Sequence, residues 1–166
     1  MSSPLDRLAV LTAWISRLCL WFSASGLVLM TVVIGWQVWG RYVLNDTPNW
    51  SERLSLFLMI YFILFAAATG VREGFHLGLV VIRDALPKRA RRIVGLLVNL
   101  IVGGFGCGMV WFGAQTAAVT WSHTIPTLGF STGIYYLPFP IAGAIIALFS
   151  LEHVLNTLAE RKTGTA

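Results

Sequence analysis

The chain has 166 residues, of which 57% are hydrophobic and 11% are charged. This length is sufficient for four membrane-spanning helices and their connectors, and it leaves no room for a separate soluble domain. The formal net charge is +5. In a soluble protein that charge would suggest a nucleic-acid partner, but basic residues beside apolar spans are expected to bind anionic phospholipids, and no nucleic acid is expected.

Four long apolar stretches contain no Asp, Glu, Lys, Arg or His. A helix crosses a bilayer core of about 30 Å with about 20 apolar residues. We therefore predict an all-α membrane protein with a single domain over residues 1–166 and transmembrane helices at about residues 18–40, 54–71, 93–121 and 134–151. Ion-coupled transporters usually carry ionisable groups at mid-membrane depth. The uncharged spans therefore predict that this chain binds neither ion nor substrate, and no enzymatic activity is expected.

The N-terminal segment, residues 4–17, is weakly amphipathic, with Leu5, Leu8 and Thr12 on one helical stripe. It is predicted either to lie flat on the inner membrane surface or to extend the first span. The apolar run that follows continues to Gly40. That is too far for the short core of a cleaved signal peptide, so a retained first helix is expected.

The first connector joins the ends of the first two helices through turn residues around Pro48. Arg41 closes the first helix, and Trp50 and Glu52 open the second, where the helix dipole favours a negative charge. Two interpretations of this outer corner are open. Either Arg41 and Glu52 pair near the headgroup level, or both lie at ordinary solvated helix ends.

The second connector contains an apolar segment, residues 75–86, that is too short to cross a bilayer. We predict a short helix on the inner membrane surface, ended by Pro87. The basic residues that follow are expected to bind the phosphate groups of anionic lipids. They are Lys88, Arg89, Arg91 and Arg92.

Arg72, Glu73 and His76 form the predicted inner corner, at the start of this connector. A histidine here can be a ligand, a proton carrier or a pH switch, but a structural hydrogen bond between helix ends is the favoured interpretation. His123 and His153 are predicted to lie on opposite sides of the membrane, and no pair of histidines has metal-ligand spacing. Since no span contains a histidine, we expect no haem, no metal and no other cofactor.

The third span is long and rich in glycine. Its 29 residues would extend about 43 Å as a helix, so the helix must tilt or project beyond the bilayer core. Gly104 and Gly108 form a GxxxG pair, a pattern that lets another helix approach closely. Two interpretations are open: tight packing inside this four-helix unit, or docking of a second membrane protein.

The fourth span opens with Pro138 and Pro140, which fit either the first turn of a helix or a short kinked entry. Its helix is expected to continue into an amphipathic tail around residues 152–158. The basic residues then orient the four spans. Ten of the 12 Lys and Arg residues lie in the two termini and the middle connector, whereas Arg41 and Arg53 lie on the other side. By the positive-inside rule, both termini are predicted to be cytoplasmic.

In their order and spacing, these motifs resemble those of the small membrane subunit, DctQ type, of tripartite ATP-independent periplasmic (TRAP) transporters. The family pattern has Arg-Tyr at the end of the first helix and Trp-x-Glu-Glu at the start of the second, then Arg-Glu, Gly-x-His and Leu-Pro before basic residues. The corresponding residues here are Arg41-Tyr42, Trp50-Ser51-Glu52, Arg72-Glu73, Gly74-Phe75-His76 and Leu86-Pro87-Lys88-Arg89.

Two positions depart from the family pattern. Arg53 stands in place of the second Glu of Trp-x-Glu-Glu, and Val80 stands in place of an acidic residue often found four positions after the His. Roles that the family assigns to those two carboxylates are therefore not carried over to this chain.

The resemblance implies an accessory subunit of a sodium-coupled transporter in a bacterial inner membrane. In that family a larger multi-span subunit holds the substrate and sodium sites, and a periplasmic binding protein delivers the substrate, typically an organic acid. The small subunit is thought to enlarge the rigid scaffold and to help receive the binding protein. The expected partners are the large subunit, transiently the binding protein, and anionic phospholipids. The residues expected at partner interfaces or as structural contacts are Arg41, Trp50, Glu52, Arg72, Glu73, His76, Gly104 and Gly108.

Small four-span membrane proteins have at least three other functions, and each makes a demand on the sequence. A self-assembling multidrug exporter would need a carboxylate within a span, and none is present. A haem-bearing membrane anchor of a redox enzyme would need histidines within its spans. A membrane anchor without haem, or an assembly factor for another inner-membrane complex, is compatible with the sequence and is distinguished by the proteins that co-purify with it.

Overall fold

The structure of the protein is a computed structural model that describes residues 4–46, 49–73, 87–125 and 129–163. In these ranges the backbone is almost entirely helical, with one isolated bridge between Thr124 and Ser131 and no strand. The helices are α1 (Pro4–Trp39), prolonged by a π-helical turn (Gly40–Leu44), α2 (Asn49–Arg72), α3 (Lys88–Val119), α4 (Thr132–Tyr136) and α5 (Pro138–Thr163).

The predicted all-α class with four spans is confirmed. Four segments are long and apolar enough to cross a membrane, and each contains most or all of one predicted span. They are Leu8–Leu44, Trp50–Arg72, Ala90–Val119 and Thr132–Leu158. The orientation of the termini stays a prediction, and the predicted surface helix at residues 75–86 lies outside the described residues.

Helix α1 is longer than a bilayer core requires, since its 36 residues extend about 54 Å. The helix is continuous, so residues 4–17 prolong the first span and are not a separate helix. This is the second of the two arrangements expected for that segment. At the other end, Asn45 adopts a left-handed conformation with φ of 53°, and its backbone N–H donates to the Gly40 carbonyl. This conformation, which Asn tolerates well, ends the helix.

Helices α1 and α2 pack through aromatic rings against small residues. Ser23 Oγ donates to the Phe62 carbonyl at 3.0 Å. The Phe22 ring lies 5.1 Å from the Phe62 ring and 5.2 Å from the Phe65 ring. Gly26 leaves space for Phe62, because a Cβ at position 26 would overlap that ring. Small residues on α1 therefore allow α2 to approach closely.

Helices α3 and α5 make the most extensive contact among the described helices. Their backbones meet at two glycines. A Cβ on Gly106 would lie 2.8 Å from the Gly143 carbonyl oxygen, and a Cβ on Gly143 would lie 2.7 Å from the Gly106 carbonyl oxygen. Further along, Ser150 Oγ donates to the Asn99 carbonyl. Lipid gives helices no hydrophobic reason to associate, so such close packing and hydrogen bonding hold the pair together.

The helices lie in a row in the order α1, α2, α5, α3, with only minor contact between α1 and α5. Tyr61 of α2 donates to the Ile134 carbonyl of α4 at 2.6 Å, which links the two halves of the row. Because most helices have only one or two neighbours, few apolar side chains are buried. Within the described residues these are Cys19, Ala68, Ala117, Ala142, Ile146 and Phe149. The protein is thus a thin slab.

The fourth span has a short helical entry before Pro138, which is one of the arrangements expected for its prolines. It is divided, because α4 ends at Tyr136 and α5 begins at Pro138. Proline has no backbone N–H to continue the hydrogen-bond pattern, so a new helix starts there. Helix α5 then continues to Thr163, which confirms the expected helical tail around residues 152–158.

Gly106→Ala is expected to destabilise the chain, because its Cβ would meet backbone atoms of Gly143 and Ala147 at 2.8 and 2.9 Å. Backbone atoms cannot rotate away, so α3 and α5 must separate, at a cost of about 1–3 kcal/mol. Thermal unfolding in detergent, followed by circular dichroism, measures this loss.

Gly95→Ala on the same helix is the matched control, since a Cβ there meets nothing within 4 Å. Alanine is a better helix former than glycine by up to about 1 kcal/mol, so this variant should unfold at the same temperature as the unaltered chain or higher. Equal unfolding temperatures for the two variants would contradict the described contact.

Candidate functional site

Helix α3 carries glycines on two faces, one packed against α5 and one without a packed neighbour among the described residues. A Cβ on Gly103, Gly106 or Gly113 would lie 3.0 Å or less from an atom of α5. A Cβ on Gly104 or Gly108 would meet nothing within 4 Å. Among the described helices, the predicted GxxxG pair therefore takes no part in internal packing, which was the first of its two interpretations. The face remains open on the outside of the slab.

A cavity of about 570 Å³, the α3 groove, runs along this open face. Gly104 and Gly108 line it, and Phe105 and Phe112 stand beside them with 68% of their surface exposed. The other lining residues are Met109, Gly113, Thr116, Tyr136 and Phe139. Glycines between projecting aromatic side chains give the groove a shape that admits a helix.

The outer corner residues are exposed and do not pair with one another. Arg41 lies in the π-helical turn, and Trp50 and Glu52 lie in the first turn of α2. Arg41 and Glu52, both described and both exposed, form no ion pair. Of the two interpretations of this corner, the structure therefore has exposed helix ends. Beside them Ser51 is fully buried, and its carbonyl accepts from Ser55 Oγ at 2.8 Å.

The inner corner joins α2 to α5 through charged side chains. Arg72 Nε lies 3.9 Å from Glu152 Oε2 in an ion pair, and His153 Nε2 lies 3.0 Å from the Arg72 carbonyl oxygen. A carbonyl oxygen only accepts, so Nε2 of this histidine carries the hydrogen. The bond satisfies one of the carbonyls that the end of α2 leaves without a helical partner. Glu73 is exposed, and His76 lies outside the described residues.

Burial makes this ion pair important. The Glu152 side chain is 8% exposed and that of Arg72 is 27% exposed. A carboxylate taken out of water needs a counter-charge nearby, because the desolvation cost otherwise exceeds any gain. The pair therefore places opposite charges at the contact between the end of α2 and α5, although neither of the two atoms makes a hydrogen bond.

Glu152 and His153 belong to the inner corner, although neither residue was predicted there. A signal was available, because both follow Leu151, the last residue of the predicted fourth span, on the side predicted for Arg72. The pattern of apolar residues does not specify which face of α5 meets α2, and that rotation decides whether Glu152 contacts Arg72 or lipid.

The predicted lipid-binding cluster is partly engaged within the protein. Arg92 Nη2 donates to the Thr157 carbonyl, which connects the start of α3 to the end of α5. The side chains of Lys88 and Arg89 are outside the described part of the structure. Lipid binding by this cluster stays a prediction. No group of three or more His, Cys, Asp and Glu side chains suited to a metal ion occurs among the described residues.

The family comparison covers most of the chain. Residues 30–160 match the sequence model of the family described as tripartite ATP-independent periplasmic transporters, DctQ component. The match includes the outer corner, the inner corner and the α3 groove.

Curated proteins of the same kind are similar to this chain. The sialic acid TRAP transporter small permease protein SiaQ of Vibrio cholerae is 27% identical over 129 residues, covering 78% of this chain and 75% of that protein. The ectoine TRAP transporter small permease protein TeaB of Halomonas elongata is 23% identical over 156 residues, 93% of this chain and 81% of that protein. The C4-dicarboxylate TRAP transporter small permease protein DctQ of Rhodobacter capsulatus is 28% identical over 106 residues, 62% of this chain and 46% of that protein.

Glu152→Leu is expected to destabilise the chain by up to about 3 kcal/mol, because it leaves the half-buried Arg72 without its counter-charge. Adding Arg72→Met removes the second charge and should recover most of the loss, since an apolar pair can replace a buried ion pair. Denaturant unfolding of the two single variants and the double variant measures the coupling. A double variant as unstable as the sum of the single effects would show that the two side chains act independently.

Proposed function

The chain belongs to the DctQ component family of TRAP transporters, and from this premise we propose that it enlarges the rigid scaffold against which a large sodium-coupled transport subunit moves. As a small membrane subunit of that family, it is an inner-membrane protein that works in a complex with a large membrane subunit and a periplasmic binding protein. We propose further that one surface of the slab binds the large subunit and that the slab supports the movement of that subunit.

The open glycine face of α3 is the observation that carries this proposal. A Cβ on Gly104 or Gly108 would meet no atom of the described residues within 4 Å, whereas a Cβ on Gly103 or Gly106, on the adjacent face, would lie 3.0 Å or less from an atom of α5. In lipid, glycines at this spacing favour close approach of another helix, because the packed backbones gain van der Waals contact that flexible acyl chains do not match. We assign the α3 groove to a transmembrane helix of the large subunit.

The row of helices suits a scaffold. A moving transport domain needs a fixed counterpart that is broad in the membrane plane, and the row α1, α2, α5, α3 provides breadth with few residues. The ion pair of Arg72 with Glu152 and the Tyr61 hydrogen bond to α4 join the helices of the slab at two levels. The proposed roles of Glu73 and His76 are to complete the inner corner. Those of Lys88, Arg89, Arg91 and Arg92 are to bind anionic headgroups.

The substrate is proposed to be an organic acid imported with sodium. The relatives are named for sialic acid, ectoine and C4-dicarboxylates, which differ widely in structure. Small subunits of one family therefore serve chemically different solutes. We infer that the large subunit and the binding protein select the solute, and that this chain contributes no substrate contact. Arg41, Trp50 and Glu52 are exposed at the outer end, where they form the proposed contact for the binding protein.

Replacing both groove glycines, Gly104→Leu with Gly108→Leu, is expected to reduce the amount of large subunit that co-purifies from the native membrane. A loss of about tenfold corresponds to about 1.4 kcal/mol, within the usual cost of overfilling a packed site. The stability of the chain itself should not fall, because a Cβ at either position meets no described atom within 4 Å and the leucine side chains extend into the groove. Mass spectrometry of the affinity-purified complex measures the recovered partner.

Gly95→Leu is the control, since this glycine is also unobstructed, lies on the same helix and does not line the groove. It should recover the large subunit in full. Full recovery by the groove variant would refute the assignment of the groove, and recovery of no multi-span partner by the unaltered chain would refute the scaffold role. Solute uptake by vesicles that contain this chain alone would show that it transports without a partner.

A further inference from the structure

A second cavity lies at the outer end of the slab, between the start of α2, the segment before α4, and α4 itself. Its volume is about 510 Å³, which is within the usual range for small-ligand sites. It is lined by Glu52, Arg53, Leu56, Ile125, Thr132, Tyr135 and Tyr136. We call it the outer cavity. It is separate from the α3 groove, with which it shares only Tyr136.

The wall of the outer cavity carries one charge of each sign. Glu52 and Arg53 are consecutive residues, both exposed and both part of the lining. A ligand with a single charge would be attracted by one of them and repelled by the other. A zwitterion, which has an ammonium and an anionic group a few bonds apart, can satisfy both. A Glu at position 53, as in the family pattern, would make both charges negative, so the mixed wall depends on Arg53.

The remaining lining residues favour a ligand with an apolar part. Leu56 lies one turn further along α2 than Glu52 and is 50% exposed, so an acyl chain can lie against it. The rings of Tyr135 and Tyr136 offer faces that attract an ammonium group. Thr132 adds a hydroxyl group that can donate to a phosphate oxygen.

The position of the outer cavity indicates the source of the ligand. The cavity lies where the apolar length of α2 begins, since Trp50–Arg72 is a candidate membrane span. Trp50, Tyr135 and Tyr136 surround this level, and such aromatic residues are typical of the boundary between lipid and water. The first turn of α2 also offers backbone N–H groups and the positive end of the helix dipole, which favour a phosphate. A phospholipid headgroup occupies this depth in any bilayer.

We propose that the outer cavity binds one zwitterionic aminophospholipid. The ammonium group lies between Glu52 and the Tyr135 ring, the phosphate lies against Arg53 and Thr132, and an acyl chain follows Leu56 into the bilayer. This binding uses the chain alone and does not depend on the docking of a large subunit at the α3 groove.

Native mass spectrometry of the full chain, purified in detergent and given equal phosphatidylethanolamine and phosphatidylglycerol, tests the proposal. The unaltered chain should retain one phosphatidylethanolamine with a preference of about tenfold, because phosphatidylglycerol has the phosphate but no ammonium group. Glu52→Gln should abolish the preference, and Arg53→Gln should reduce retention of both lipids. The comparison of the two lipids needs no variant, so it remains informative if a substitution prevents folding.

Asp46→Asn and Arg17→Gln are the matched controls. Both positions are exposed and neither lines the outer cavity, so both variants should retain phosphatidylethanolamine like the unaltered chain. Equal retention of the two lipids by the unaltered chain would overturn the proposal, as would unchanged retention by Glu52→Gln and Arg53→Gln together. Displacement of the lipid by low concentrations of glycerophosphoethanolamine, which has the headgroup without acyl chains, would instead indicate a site for a water-soluble zwitterion and would also overturn it.

Discussion

Gly106 and Gly143 determine how closely α3 and α5 pack, and these two helices make the most extensive contact among the described helices. Two helices in a bilayer associate only when they pack more closely with each other than with lipid. At this crossing the backbones are so near that a Cβ on either glycine would lie under 3.0 Å from the other carbonyl oxygen. The contact sets the register of α5 against α3. That register brings Ser150 to the Asn99 carbonyl and directs Glu152 to α2.

The same register determines where charge is buried. Glu152 is buried at the inner corner, as that corner was named from the sequence, where Arg72 supplies the opposite charge and His153 satisfies the carbonyl of that arginine. Glu52 and Arg53 lie at the opposite end of α2 and are exposed. The charges of the described spans are therefore at the two ends, where they can order helix termini and meet lipid headgroups. A slab whose helices are held together at both ends is suited to the proposed role of a rigid scaffold beside a moving transport subunit.

The sequence predicted the positions of the helices well, but it did not predict which faces of the helices pack against one another. Lengths of uncharged apolar residues specify helices in a bilayer, so four spans and the continuation of α5 to Thr163 followed from composition. The pairing of Arg72 with Glu152 did not follow, because it depends on the rotation of two helices that are not consecutive in the chain. The sequence shows the proline at which α4 and α5 are separated, but a proline is equally compatible with the first turn of a single helix. For the candidate site, the GxxxG pattern located Gly104 and Gly108, and only the structure separated them from the glycines that α5 covers.

The two edges of the row differ in what they offer to a second protein. Helix α1 forms one edge, and its outward side chains include Trp14, Trp21 and Leu18, whose exposed surfaces acyl chains can cover readily. Its open glycine, Gly35, has no glycine four residues away. Helix α3 forms the other edge, where Gly104 and Gly108 leave a groove that only a closely packed backbone fills well. The gain from protein contact over lipid contact is therefore larger at α3, and this difference supports the proposal that the large subunit binds at the α3 edge.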